Sequence, residues 1–332
     1  MTSAQTDRFV HERLPAPGDR PQLVFDRPEL QLPAQCNLVE QLLDRAEDKG
    51  WGERPLLRSA RGVLSYRAAR AQVDRLCRVL VEDFGLVPGN RVLLRGGNST
   101  SMALAWLAVV KAGGIAVATM PLLRAAELGN IIDKAQPALA LCDRKLQDEL
   151  EAARRDRPVL QRVVLFNAGD EAGSLEALAA GKADGFSACP TAAEDIALLA
   201  FTSGTTGKPK AAVHTHRDVL AACEAWPRHV LRATPDDIVV GTPPLAFTFG
   251  LGGLLIFPMW AGASVYFPDG PYTPETLVQT IRQVGATISY TAPTFYRQAA
   301  PFAREGGVGR LRTSVSAGEG LPDATRQLWK DA

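Results

Sequence analysis

Apolar positions along this chain change period repeatedly. Leu38, Leu42 and Leu43 share one helical face behind Asn37, a good N-cap, and that helix is expected to end at Gly50. Residues 56–66 read as a short hairpin turning at Arg61-Gly62. Ser65 can cap the next helix, in which Val73, Leu76, Cys77, Leu80 and Val81 recur at helical spacing and Gly85 is the stop. The period then alternates: a strand at 91–95, a helix at 102–111 ended by Gly113-Gly114, a strand at 115–120, a helix near 125–134 and a strand at 138–142. A polar stretch, 167–194, reads as a connection. Beyond it come a strand at 196–201, a helix from Arg217, a strand at 238–241, a helix around 251–260, and a strand at 263–267. A helix from Glu275 and strands at 287–291 and 311–316 follow. Strands separated by single helices predict an α/β fold with parallel sheets and helices on their faces. Residues 1–34 read as a Pro-rich, charged, draping arm, 35–185 as a first α/β subdomain and 186–332 as a second.

Composition changes this picture little. Lys and Arg number 37 against 36 Asp and Glu, which gives no electrostatic reason to expect nucleic acid or a membrane surface as partner. Five scattered cysteines without C-x-x-C spacing suit a reducing cytoplasm and argue against a metal site, and the N-terminus has no apolar signal-peptide core. Residues 238–268 carry no charge and are long enough to span a bilayer, but Pro243, Pro244, Pro258 and Pro268 interrupt them. A buried strand, a loop and a buried helix are expected there instead.

Candidate chemistry is concentrated in one loop. Thr202, Ser203, Gly204, Thr205, Thr206, Gly207, Lys208, Pro209 and Lys210 follow an apolar strand. Glycines let backbone N–H groups approach oxygens, hydroxyls add donors and lysines neutralise charge, as a polyphosphate requires. Only two residues separate Gly204 from Gly207, and Pro209 follows Lys208, so this is not a Walker A loop; a kinase or Walker-type NTPase is disfavoured. The residue before a proline is pushed towards extended geometry, which predicts strand, loop and strand. A polar hairpin turn uses similar residues, but the number of hydroxyls and lysines favours phosphate.

Three further segments accompany the loop. Thr215 and Asp218 fit a capping box, while His214 and His216 lack partners at metal-ligand spacing. Phe247, Thr248, Phe249 and Gly250 offer aromatic faces and close approach to a flat apolar ligand, although core packing accounts for most such side chains taken singly. Ala317, Gly318, Glu319 and Gly320 form a small-residue turn after a strand end, where ligands of parallel sheets gather, and an ordinary strand-to-helix turn is the plainer reading.

Taken in order, TSGTTGKPK, AFTFGL and SAGEGLP resemble the core motifs of the adenylate-forming enzymes, and LVPGNRVLLRGGN and LAVVKAGGIAVATMPLL are also similar. Within that superfamily the chain looks most like the benzoate- and 2-aminobenzoate-CoA ligases. The resemblance implies helix-flanked, parallel-sheet subdomains of the adenylate-forming N-terminal domain. It implies ATP, Mg²⁺ and coenzyme A, and an acid–thiol ligation in which an aromatic carboxylate becomes an acyl adenylate and then a thioester. A medium-chain fatty acyl-CoA ligase and a non-catalytic module binding nucleotide or acid are the alternatives. By resemblance, Thr202 to Lys208 and Lys210 hold ATP phosphates, Ala317 to Gly320 border adenine and the acyl group, and Phe247, Thr248, Phe249, Gly250 and Tyr296 wall the acid pocket. The family's Y-G-x-T-E glutamate for Mg²⁺, its ribose-binding aspartate and its catalytic lysine have no counterpart in these 332 residues. The expectation is therefore the N-terminal portion of a longer ligase, with the C-terminal domain absent, no catalytic residue of its own, and weak or no turnover.

Overall fold

The computed structural model describes residues 2–202 and 209–332. Within them the strands are, in chain order, β1 (Pro55–Ser59), β2 (Gly62–Ser65), β3 (Arg91–Arg95), β4 (Ile115–Thr119), β5 (Leu139–Asp143) and β6 (Arg162–Phe166). They continue with β7 (Ile196–Thr202), β8 (Lys210–Thr215), β9 (Ile238–Gly241), β10 (Ser264–Tyr266), β11 (Ile288–Thr291) and β12 (Thr313–Ser316). The chain divides into two compact units. The first comprises Met1–Arg45, Arg70–Gly96 and Leu104–Ala225, the second Ala46–Ala69, Gly97–Ala103 and Trp226–Ala332.

Each unit holds one six-stranded sheet, ordered β6-β5-β3-β4-β7-β8 in the first and β12-β11-β9-β10-β1-β2 in the second. The same design is built twice: five parallel strands and an antiparallel edge strand. The β3–β6 run corresponds to β9–β12, and the β7–β8 hairpin to β1–β2. The hairpin follows its partners in the first unit and precedes them in the second. The units are thus interleaved in sequence and do not coincide with a single 185/186 boundary, because β7 pairs with β4 and β1 with β10.

Strand burial explains the apolar runs. β3 and β5 are buried at every position, as strands covered on both faces require. The core beside them packs Leu93, Val117, Ala140 and Cys142 against Leu128, Ile131 and Ile132 of the helix Ala125–Ala135. Each such aliphatic side chain contributes about 1.5–3 kcal/mol by leaving water. Fully buried Lys111 is held by Asp44 and Asp74. In the second unit Arg312 forks onto buried Asp237, which also accepts the Thr287 hydroxyl at 2.7 Å; this ties together the segments that lead into β9, β11 and β12.

The N-terminal arm is more firmly held than a merely draping segment would be. The Gln5 side chain donates to Ile196 O at 2.7 Å and accepts from Ile196 N, Asp7 pairs with Arg91, and Val10 enters the core. Gly89, at φ +93°, lets Asp7 approach: a Cβ there would lie 2.3 Å from Asp7 O. The uncharged stretch forms β9, a loop, the helical run Thr248–Leu251, Gly252–Ile256 and Phe257–Ala261, and β10. Among the described residues no helix is long and apolar enough to cross a membrane.

Candidate active site

The two strands expected on either side of the glycine-rich segment, β7 and β8, both form in the first unit. Thr202 ends β7, Lys210 begins β8, and the two face each other as antiparallel partners, both exposed. β7 is buried over its first four residues and emerges towards Thr202, so the core fixes the root of the hairpin. Ser203, Gly204, Thr205, Thr206, Gly207 and Lys208 lie outside the described residues.

The capping box forms beyond β8. Thr215 N donates to Asp218 Oδ2 at 2.8 Å, and Asp218 N donates to Thr215 Oγ1 at 3.1 Å, at the start of the helix His216–Ala225. His216 is fully buried, and its Nδ1 accepts the Leu38 N–H at 3.0 Å, so one of the donors at the start of the helix Leu38–Leu42 is satisfied. Burial pushes the imidazole down to about 4, which keeps it neutral and suits it to this acceptor role. Among the described residues no group of three or more His, Cys, Asp or Glu is placed to hold a metal ion.

In the second unit the Phe-rich segment opens a helix. Phe247 is 41% exposed, Thr248 is exposed, and Phe249 sets its ring edge against Tyr290 of β11, with centroids 5.7 Å apart and planes at 61°. Gly250 is required by close approach, since a Cβ there would lie 2.0 Å from Pro244 O. Gly253 likewise lies against the Tyr290 ring, with 2.6 Å to its Cδ1 from a built Cβ. A π-helical turn spans Gly252–Ile256, a local widening that often accompanies functional positions. Trp226 Nε1 donates to the Tyr290 hydroxyl at 3.3 Å, and burial pushes that phenol up to about 12. Phe249, Tyr290 and Trp226 thus form a chain of aromatic contacts beside two glycines.

The small-residue turn follows β12 in the same unit. Ala317 is half-buried and Gly318, Glu319 and Gly320 are exposed. Gly318 adopts φ +94°, a conformation that favours glycine. Thr294 donates its backbone N–H (2.9 Å) and its hydroxyl (2.7 Å) to Glu319 Oε1. These bonds hold the carboxyl below the usual range and use it to close the N-terminus of the helix Pro293–Gly306. Tyr296 is 2% exposed, its hydroxyl lies 2.7 Å from Ser289 Oγ and 3.2 Å from Val315 O, and its ring packs on Trp329 at 4.7 Å. The structure thus commits Tyr296 to internal contacts.

Asn98, Tyr290, Trp226 and Thr294 hold these segments, and no sequence motif assigns them a role. Asn98 is the last residue of the LVPGNRVLLRGGN segment.

Comparison with known proteins bears directly on these segments. The family model described as AMP-binding enzyme matches residues 44–332. The chain belongs to this family. The AMP-binding match takes in both sheets and every candidate segment. Benzoate–CoA ligase of Thauera aromatica is 28% identical over 305 residues, 91% of this chain and 58% of that protein. The p-hydroxybenzoic acid–AMP ligase of Mycobacterium tuberculosis is 31% identical over 285 residues, 86% of this chain and 38% of that protein. A crystal structure of an anthranilate CoA ligase in complex with anthranoyl-AMP superposes with a TM-score of 0.85 at 28% identity, covering 92% of this chain and 58% of that one. The chain therefore spans well under two thirds of the length of these relatives.

Proposed function

We propose that this chain carries the part of an aryl-acid ligase that binds ATP and an aromatic carboxylate and joins them as an acyl adenylate. The observation that carries the reading is the Phe249–Tyr290–Trp226 aromatic chain beside Gly250 and Gly253, in a family whose relatives named above act on benzoates. A flat ring gains from aromatic faces and from backbone that it can approach closely.

In the proposed reaction a carboxylate oxygen attacks the α-phosphorus of ATP. A C–O–P bond forms, the α–β bridging P–O bond breaks, and pyrophosphate leaves with its electron pair. Coenzyme A thiolate then attacks the acyl carbon and AMP departs. The work asked of the protein is positioning and charge neutralisation. Lys210 and the hydroxyl of Thr202, with Ser203 to Lys208, are assigned to the phosphates. Phe247, Thr248, Phe249 and Gly250 are assigned to the acid, and Ala317, Gly318 and Gly320 to the adenine and acyl groups. Glu319 is assigned to holding that turn through Thr294, and Tyr296 to the packing behind it. Mg²⁺ would accompany the ATP phosphates; the described residues offer it no carboxylate cluster, so none is assigned to it.

Isothermal titration with benzoyl sulfamoyl adenosine, a stable mimic of the adenylate, tests the reading, with octanoyl sulfamoyl adenosine and AMP alongside. Tighter binding of the benzoyl mimic than of either other compound is expected. Preference for the octanoyl mimic would shift the assignment to fatty acids, and no binding of any of the three would end it.

A further inference from the structure

Asn98 stands in a segment singled out in the sequence, yet it has no part in the chemistry assigned above. It directly precedes Ser99, which caps the helix Thr100–Lys111 by accepting the Met102 N–H on its hydroxyl at 3.2 Å. Because Ser99 serves the helix, the Asn98 side chain is free to serve another segment. Its Nδ2 donates to Pro243 O at 2.9 Å, and its Oδ1 accepts the Leu245 N–H at 2.8 Å. Both ends of one planar amide therefore grip one short loop, as a neighbouring strand would.

That loop sets the position of the aromatic segment. Phe247 N donates back to Pro244 O at 3.0 Å, and a Cβ on Gly250 would fall 2.0 Å from that same carbonyl. The first turn of the helix starting at Thr248 thus rests on the peptide between the two residues that Asn98 holds. At the other end of the loop, Thr242 N donates to Tyr290 O at 3.0 Å, which ties it to the residue on which Phe249 packs. Proline at 243 and 244 gives these positions no N–H with which to brace themselves, so the side-chain amide supplies the cross-link.

We propose that Asn98 is a positioning residue for the aromatic acid: it fixes the 243–245 loop and through it the placement of Phe247 and Phe249. The inference rests on the functional reading above. It touches no reacting atom in this proposal. Asparagine is suited because it alone of the short side chains presents a donor and an acceptor in one plane. Aspartate would keep the acceptor for Leu245 N–H and lose the donor for Pro243 O, and alanine would lose both.

The experiment compares the whole chain with Asn98→Ala and Asn98→Asp, using calorimetry with benzoyl sulfamoyl adenosine and with AMP. The expected result is a Kd for the benzoyl mimic raised about tenfold by Asn98→Ala, the equivalent of one net hydrogen bond, with the AMP Kd changed by less than about twofold. Asn98→Asp should fall between the wild type and Asn98→Ala. Equal weakening of both ligands would mean a general structural brace and would overturn the proposal, as would unchanged binding of the mimic. If Asn98→Ala fails to fold, Asn98→Asp carries the same comparison. Failure of the wild-type chain to bind the mimic removes the functional reading itself, a result distinct from any effect of the variants.

Discussion

Replacing Lys111 by methionine tests how the first unit tolerates charge in its interior. The ammonium is fully buried, 2.6 Å from Asp44 Oδ1 and 2.5 Å from Asp74 Oδ1. Methionine fills nearly the same volume without charge, so the perturbation is mainly electrostatic. Asp44 keeps Arg70, whose Nε lies 3.5 Å away, and Asp74 keeps the Gly185 N–H at 3.0 Å. Burial already holds the Asp44 carboxyl above the usual range in the native protein, despite Lys111 and Arg70, which act the other way. Removing one partner from a buried pair costs about 3–5 kcal/mol, because the remaining charge stays desolvated. That is a large part of the stability of an ordinary domain. The loss should depend on pH, with a definite sign. A carboxyl whose folded pKa is raised stabilises the fold below its unfolded pKa and loses that contribution as pH rises through the folded value. Without the ammonium the Asp44 carboxyl is pushed further in the same direction, so Lys111→Met should lose most at pH 7.5 and less near pH 5. Urea unfolding of both proteins at the two pH values is the assay. A loss below about 1 kcal/mol at pH 7.5, the range of exposed pairs, or an equal loss at both pH values would refute the reasoning. Adding Asp74→Leu to Lys111→Met should recover part of the loss.

Other expectations follow from single contacts. Gly250→Ala forces a methyl into the Pro244 carbonyl and should destabilise by about 1–3 kcal/mol while weakening the benzoyl mimic, both measurable by denaturation and calorimetry. Glu319→Ala removes the acceptor of both Thr294 donors and should weaken AMP binding, whereas Glu319→Gln keeps an oxygen there and should stay close to the wild type; equal behaviour of the two would discard the capping role. His216, held near 4 in the fold against an ordinary 6.5, should make stability fall as pH drops from 6.5 towards 4, by up to about 3 kcal/mol. In His216→Gln that part of the pH profile should flatten.

Much of the local structure was legible because local rules govern it. The Asn37 cap, the Ser65 cap, the Thr215/Asp218 box and the Gly85 stop all form where their spacing predicted. β6 and the helix Pro293–Gly306 were not foreseen. The Arg-Val-Val-Leu-Phe run of β6 is half-exposed at a sheet edge, so its burial pattern is weak. The unforeseen helix contains Pro293 and Pro301, the second inside it, which locally reads as a break. Packing of Tyr296, Ala299, Ala300 and Ala303 overrides that signal.

Sequence alone determined the alternation of strands and helices, the phosphate-like loop composition and the family resemblance, because periodicity, turn chemistry and short motifs are written in neighbouring residues. Only the tertiary structure decided which strands pair, and so that the units interleave along the chain. It also assigned Glu319 to a helix terminus, Tyr296 to the core and Asn98 to the loop before the aromatic segment. Those assignments depend on groups brought together from far apart in the chain, Asn98 and Pro243 being 145 residues apart. A side chain shows what it can bond to, but folding determines which partner comes within 3 Å.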